Sequence, residues 1–174
     1  HWSTAGSFPV SASNGFNLYS PTFHRRMSRK EIIEFAKDFG KAVETAYNAG
    51  FDSVEVHAGH GYLISQFLSP YTNHRRDEYG GSLENRMRFM NHCLEEVVEA
   101  ARKRGMGVLV KHNMEDGFKS GIQVPESIEI AKQIESFGVD GIVLSSGFVS
   151  KAPMAVMRGR IPTKTMGYYM GWNE

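Results

Sequence analysis

The sequence contains a single cysteine, Cys93. That excludes an internal disulfide framework and fits a reducing compartment, so a cytoplasmic protein is expected. Cys93 lies inside a helical pattern and reads as small apolar filler. No apolar run approaches the ~18 residues a membrane span needs. No leader with a charged and then an apolar stretch is visible. Neither sign of charge dominates, because 20 Lys and Arg against 19 Asp and Glu leave a formal +1. Such a balance gives no electrostatic case for a nucleic-acid or membrane partner. The glycine motifs that cradle phosphates after a strand, G-x-G-x-x-G and G-x-x-x-x-G-K-[ST], are missing too. The chain starts with His rather than Met and ends in GYYMGWNE with no stop signal. A piece of a longer protein is therefore expected.

What is present is a repeated unit. Residues 1–27 are rich in Ser, Gly, Asn and Pro and read as a loop-rich entry. Ser28 followed by Glu31 is a capping-box signal, and Ile32, Phe35, Ala36, Phe39, Val43 and Ala46 then recur at helical spacing. Gly50 closes that helix, and the valine-rich FDSVEVH (51–57) reads as a strand. A second helix over about 82–104 leads through Gly105 to the strand MGVLVKH (106–112). A third helix opened by Pro125 leads through Gly138 to VDGIVLSS (139–146). Helix, glycine, short apolar strand and polar loop in repetition mean parallel β/α units over 28–150, with 151–174 a loop after the third strand. A doubly wound sheet and a β/α barrel both fit. The missing phosphate-binding turn favours the α/β class of parallel (β/α)8 TIM barrel. Three strands amount to roughly its central half, so residues 1–174 are expected to form one partial barrel domain.

In either architecture the C-terminal strand ends face the active site. There the chain reads VEVHAGHGYL, with His57, His60 and Tyr62 on one turn. Two imidazoles can aim N–H donors at one oxygen and stabilise charge developing there. A neighbouring phenol, protonated at neutral pH, can deliver a proton. Ala58, Gly59 and Gly61 would let ligand and backbone approach closely. A metal site is the competing reading. However, the two histidines are three apart on a loop and lack the glutamate of helical H-E-x-x-H zinc sites, so no metal is expected. Local packing of the histidines is the structural alternative. Lys111, at the end of the second strand, could be a Schiff-base lysine, a fixed cation for an anionic ligand, or a side chain reaching to the rim. Asn113, Glu115, Asp116, Ser145 and Ser146 lie at the same strand ends. Arg75, Arg76, Asp77 and Glu78 read as a solvated polar loop.

The stretch HAGHGYLISQFLSPYTNHRRDEYGGSLENRMRF resembles the signature of the Old Yellow Enzyme family, the NADH:flavin oxidoreductases. AYNAGFDSVEVH, VLVKHNMEDGF and GVDGIVLSSGFVS match its pattern as well, over about 28–150 and more faintly to 170. The resemblance implies an eight-stranded β/α barrel with FMN at its C-terminal mouth. NADH or NADPH would reduce the flavin, and hydride would then pass to an activated alkene such as an α,β-unsaturated carbonyl, a small-molecule partner. His57 and His60 would bind the carbonyl oxygen, and Tyr62 would protonate the carbon opposite the hydride. Lys111 would lie near the flavin's pyrimidine edge, where the family usually carries arginine. Lysine keeps the charge but not the planar fork. The family's remaining flavin contacts would lie outside the chain, so alone it is expected to bind FMN poorly or not at all. A lyase using Lys111 and a truncated, non-catalytic product are the alternatives. Substrate identity, the choice between NADH and NADPH, and whether it acts as a homo-oligomer are left open.

Overall fold

A computed structural model describes residues 9–17 and 22–156. Three short strands come first: β1 (Val10–Ser11), β2 (Gly15–Asn17) and β3 (Thr22–Arg26). β3 pairs antiparallel with β2 and parallel with β1. The described part of 1–27 is thus not all loop. Strands of two to five residues are too short to set up a period, so the pattern does not announce them although they pair with one another within 10–26.

Helix α1 (Arg29–Asn48) starts as its sequence requires. The Ser28 hydroxyl accepts from the Glu31 amide at 3.2 Å, and the Glu31 carboxylate accepts from the Ser28 amide at 2.8 Å. Its buried stripe is Ile32, Ala36, Gly40 and Val43. Gly50, with φ 85°, reverses the chain into β4 (Ser53–Ala58). Next come the short helix α2 (Leu63–Leu68) and the long helix α3 (Leu83–Arg102), capped by the Ser82 hydroxyl. β5 (Gly107–Asn113), α4 (Val124–Ser136) with Pro125 in its first turn, and β6 (Gly141–Ser145) complete the repetition. A short helix α5 (Pro153–Val156) lies within the expected terminal loop, whose residues 157–174 fall outside the described residues.

β4, β5 and β6 form one parallel sheet in that order. Side chains alternate between its two faces. Val56, Ala58, Val108 and Val110 pack with Ile32, Phe89, Leu94, Val97 and Ile130 of the helices into one core. The opposite face carries Glu55, His57, Leu109, Lys111, Asn113, Val143 and Ser145 by register. Among the described residues the helices pack on the first face; in a β/α barrel the second is the interior face, and that is where these polar residues stand. Among the described residues no helix is long and apolar enough to cross a membrane.

Candidate active site

His57 is next to last in β4, and the chain turns immediately after it. The turn depends on backbone that few residues adopt: His60 has φ 59° and Gly61 φ 81°. Close packing needs the glycines as well. A Cβ on Gly59 would lie 2.6 Å from Asn113 Oδ1, and one on Gly61 2.4 Å from the Phe148 ring. The expected close approach is therefore to the protein's own β5 and to the loop after β6. Tyr62 then serves as the N-cap residue of α2. The Gly61 amide donates to Ser65 Oγ at 3.1 Å, and Gln66 Nε2 donates to the Gly61 carbonyl at 2.7 Å.

This turn gathers three of the four predicted site residues, and the fourth, Lys111, stands on β5. The His57 and His60 rings are 5.0 Å apart at an 81° angle, and the His57 and Tyr62 rings are 4.9 Å apart. Tyr62 remains exposed. Burial, and then the Lys111 charge, push His57 below the ordinary imidazole value, against a smaller opposite pull from Glu55. At neutral pH it is an uncharged ring with one N–H to give. Its Nδ1 is buried and has no hydrogen-bond partner among the described residues. A buried polar atom without a partner is costly and fits a ligand's polar group. His60 Nε2 pairs with Ser145 Oγ at the end of β6. Among the described residues no group of three potential metal ligands occurs.

Lys111 stands beside His57 in register, and its Nζ is 2.8 Å from Glu55 Oε1. Glu55 is not one of the predicted site residues. Its signal was the alternation Glu55, His57 on β4, which puts both side chains on the face of Lys111. His112 turns the other way, into the helix-covered layer. Ser127 Oγ donates to the Asn113 carbonyl at 2.8 Å, so it must accept from His112 Nε2, also at 2.8 Å. Burial pushes His112 down to about 4, against a weaker opposite effect of Ser127. His112 is a structural histidine.

The loop after α2 corrects the expectation of solvated charge. Arg75 is 4% exposed. Its guanidinium grips Asp77 at 2.9 and 2.7 Å and donates to the carbonyls of Ala12 and Met27 at 3.0 and 2.8 Å. Only Arg76 of that run is exposed; Asp77 and Glu78 are half-buried. Carbonyls from distant chain satisfy the buried charge, and a composition argument cannot see them.

The model of the NADH:flavin oxidoreductase / NADH oxidase family matches residues 5–166. The chain belongs to that family. An NADPH dehydrogenase of Bacillus subtilis (strain 168) is 42% identical over 134 residues, covering 76% of this chain and 38% of that protein. Among solved structures, the old yellow enzyme homologue from Zymomonas mobilis superposes with TM-score 0.72 at 31% identity, covering 83% of this chain and 43% of that one. Morphinone reductase in complex with tetrahydroNAD gives TM-score 0.68 at 27% identity, covering 80% of this chain and 43% of that one. The chain thus spans less than half the length of these relatives. The neighbours are β/α barrels, and β4, β5 and β6 with their helices are part of such a barrel. FMN is the family's flavin, and a nicotinamide is its reductant.

Proposed function

We propose that this chain carries the substrate clamp and proton donor of an FMN-dependent oxidoreductase that uses NADPH or NADH to reduce activated alkenes such as α,β-unsaturated carbonyls. The observation that carries the reading is the grouping of His57, His60 and Tyr62, with ring centres 5.0 and 4.9 Å from His57, at the C-terminal end of an interior-facing strand. His57 and His60 hold the carbonyl oxygen and stabilise the negative charge that develops on it. That polarisation makes the β carbon accept a hydride. Bound FMN would supply the hydride chemistry, with the nicotinamide as reductant. The Tyr62 hydroxyl gives its proton to the α carbon, and solvent restores it across the exposed side of the ring. Lys111 is the residue of this chain that would hold the flavin, contributing a positive charge. Glu55 at 2.8 Å gives Lys111 the surroundings of a fixed cation, not those of the desolvated amine that a Schiff base needs.

The test is stoichiometry. The complete gene product, with FMN, is incubated without oxygen with NADPH and then with NADH, each with an α,β-unsaturated ketone. One saturated ketone per nicotinamide oxidised is the expected result. Nicotinamide oxidation with the alkene left intact would remove alkene reduction from the account.

A further inference from the structure

We infer that Asn113 is a positioning residue for the oxygen clamp: its side-chain amide, locked by Asp116, fixes the backbone at His60 and thereby sets where the His60 imidazole meets the substrate. This inference rests on the clamp role proposed above. Asn113 is the last residue of β5, fully buried and next to the turn. Its Oδ1 accepts from the His60 amide at 3.1 Å. Its Nδ2 donates to the Gly147 carbonyl at 2.7 Å and to Asp116 Oδ1 at 3.1 Å. Asp116 is itself fixed. Its Oδ2 accepts from Ser69 Oγ at 2.6 Å and from the Ile122 amide at 2.9 Å.

The carboxylate and the carbonyl can only accept, so the NH2 of Asn113 must face them and its oxygen must face His60. The amide therefore has one orientation. It meets the chain at the residue with φ 59°, a left-handed conformation uncommon outside glycine. Other fixings of His60 include the Val149 amide on its carbonyl at 3.1 Å and the Ser145 hydroxyl on its ring. Asn113 also lines the space that Gly59 leaves open. Three strand ends thus converge on one histidine, with Asn113 in the middle. A clamp raises the rate only if its donors are already aimed, and a misplacement of about 1 Å can cost about a hundredfold.

The experiment is a double-mutant cycle in the complete, flavin-loaded gene product. The flavin is reduced chemically, so that the nicotinamide step is bypassed, and its reoxidation by an unsaturated ketone is followed. Asn113→Ala is expected to slow reoxidation by about tenfold or more in the parent and by less than about twofold in a His60→Ala background. Equal losses in both backgrounds would overturn the positioning role, because a general packing defect persists without the imidazole. If His60→Ala alone has no effect, the clamp reading itself fails, and the two failures are thereby distinguished. A readout that needs no turnover is hydrogen exchange at the His60 amide, expected to quicken by about tenfold in Asn113→Ala; an unchanged rate would overturn the inference. Should that variant not fold, Asn113→Asp takes its place in the cycle. It keeps an acceptor for the His60 amide but cannot donate to the Gly147 carbonyl. Its loss, too, must vanish without His60.

Discussion

His57 and Tyr62 share one turn but not their surroundings. His57 is partly buried beside Lys111 and stays uncharged, whereas Tyr62 is open to solvent, as the proposed division between oxygen clamp and proton donor requires. The pairing of His57, His60 and Tyr62 was legible in the sequence because it is local, six residues at a strand's end. The partners that hold the turn were not. Asn113 is 53 residues from His60 along the chain, and Ser145 is 85. Sequence puts both at strand ends but cannot say which atom meets which. His112 shows the converse, a histidine next to Lys111 that the pleat turns away from the site. Its folded pKa of about 4 lies below the ordinary 6.5. The unfolded chain therefore takes up a proton between about pH 6.5 and 4 that the native state refuses. The stability tied to neutral His112 is complete above pH 6.5 and is lost as the pH falls through that window, by about 3 kcal/mol in all. Denaturant melts of the parent and of His112→Gln over this range should show a shallower decline in the variant. Parallel curves would contradict the assignment.

At the scale of elements, the long periodic segments read correctly. α1, α3 and α4 and the three parallel strands follow from helical stripes, caps and valine-rich runs. The capping box at Ser28 forms as its two residues require. The pairing of β2 with β3 did not read because each strand is too short to set up a period. The Arg75 loop did not read because it is held by groups far away in sequence, Arg75 bonding to Ala12 and Met27 and the His74 amide to Ser13 Oγ. Between the Phe67 and Tyr79 rings, 5.7 Å from each, Arg75 ties Ala12 and Met27, which flank this strand segment, to the loop that follows α2. Arg75→Met would leave Asp77 without its partner and two carbonyls without donors. The expected cost is about 3 to 5 kcal/mol, read from the shift of the denaturant midpoint. A loss below about 1 kcal/mol would show that solvent replaces those bonds.

At the scale of the whole molecule, the sheet divides the labour. Its helix-covered face is apolar and holds the fold together, while its interior face collects Glu55, His57, Lys111 and Asn113. Such a face is stable only where its polar groups find partners or a ligand. Ion pairing of Glu55 with Lys111 meets part of that need, and the buried Nδ1 of His57 marks where it is unmet. Fold class could be read from the repeated unit because barrels repeat. How the interior face is wired could not, since it depends on register between strands far apart in the chain, such as Glu55 opposite Leu109 and Leu109 opposite Gly141.

The most direct test of the account concerns Tyr62. In the complete gene product, stopped-flow absorbance would follow the two half-reactions of the flavin separately in the parent and in Tyr62→Phe. Reoxidation by an unsaturated ketone is expected to slow by about a hundredfold or more, while reduction by NADPH stays within about twofold. Reoxidation at the parental rate would contradict the proposed proton donor.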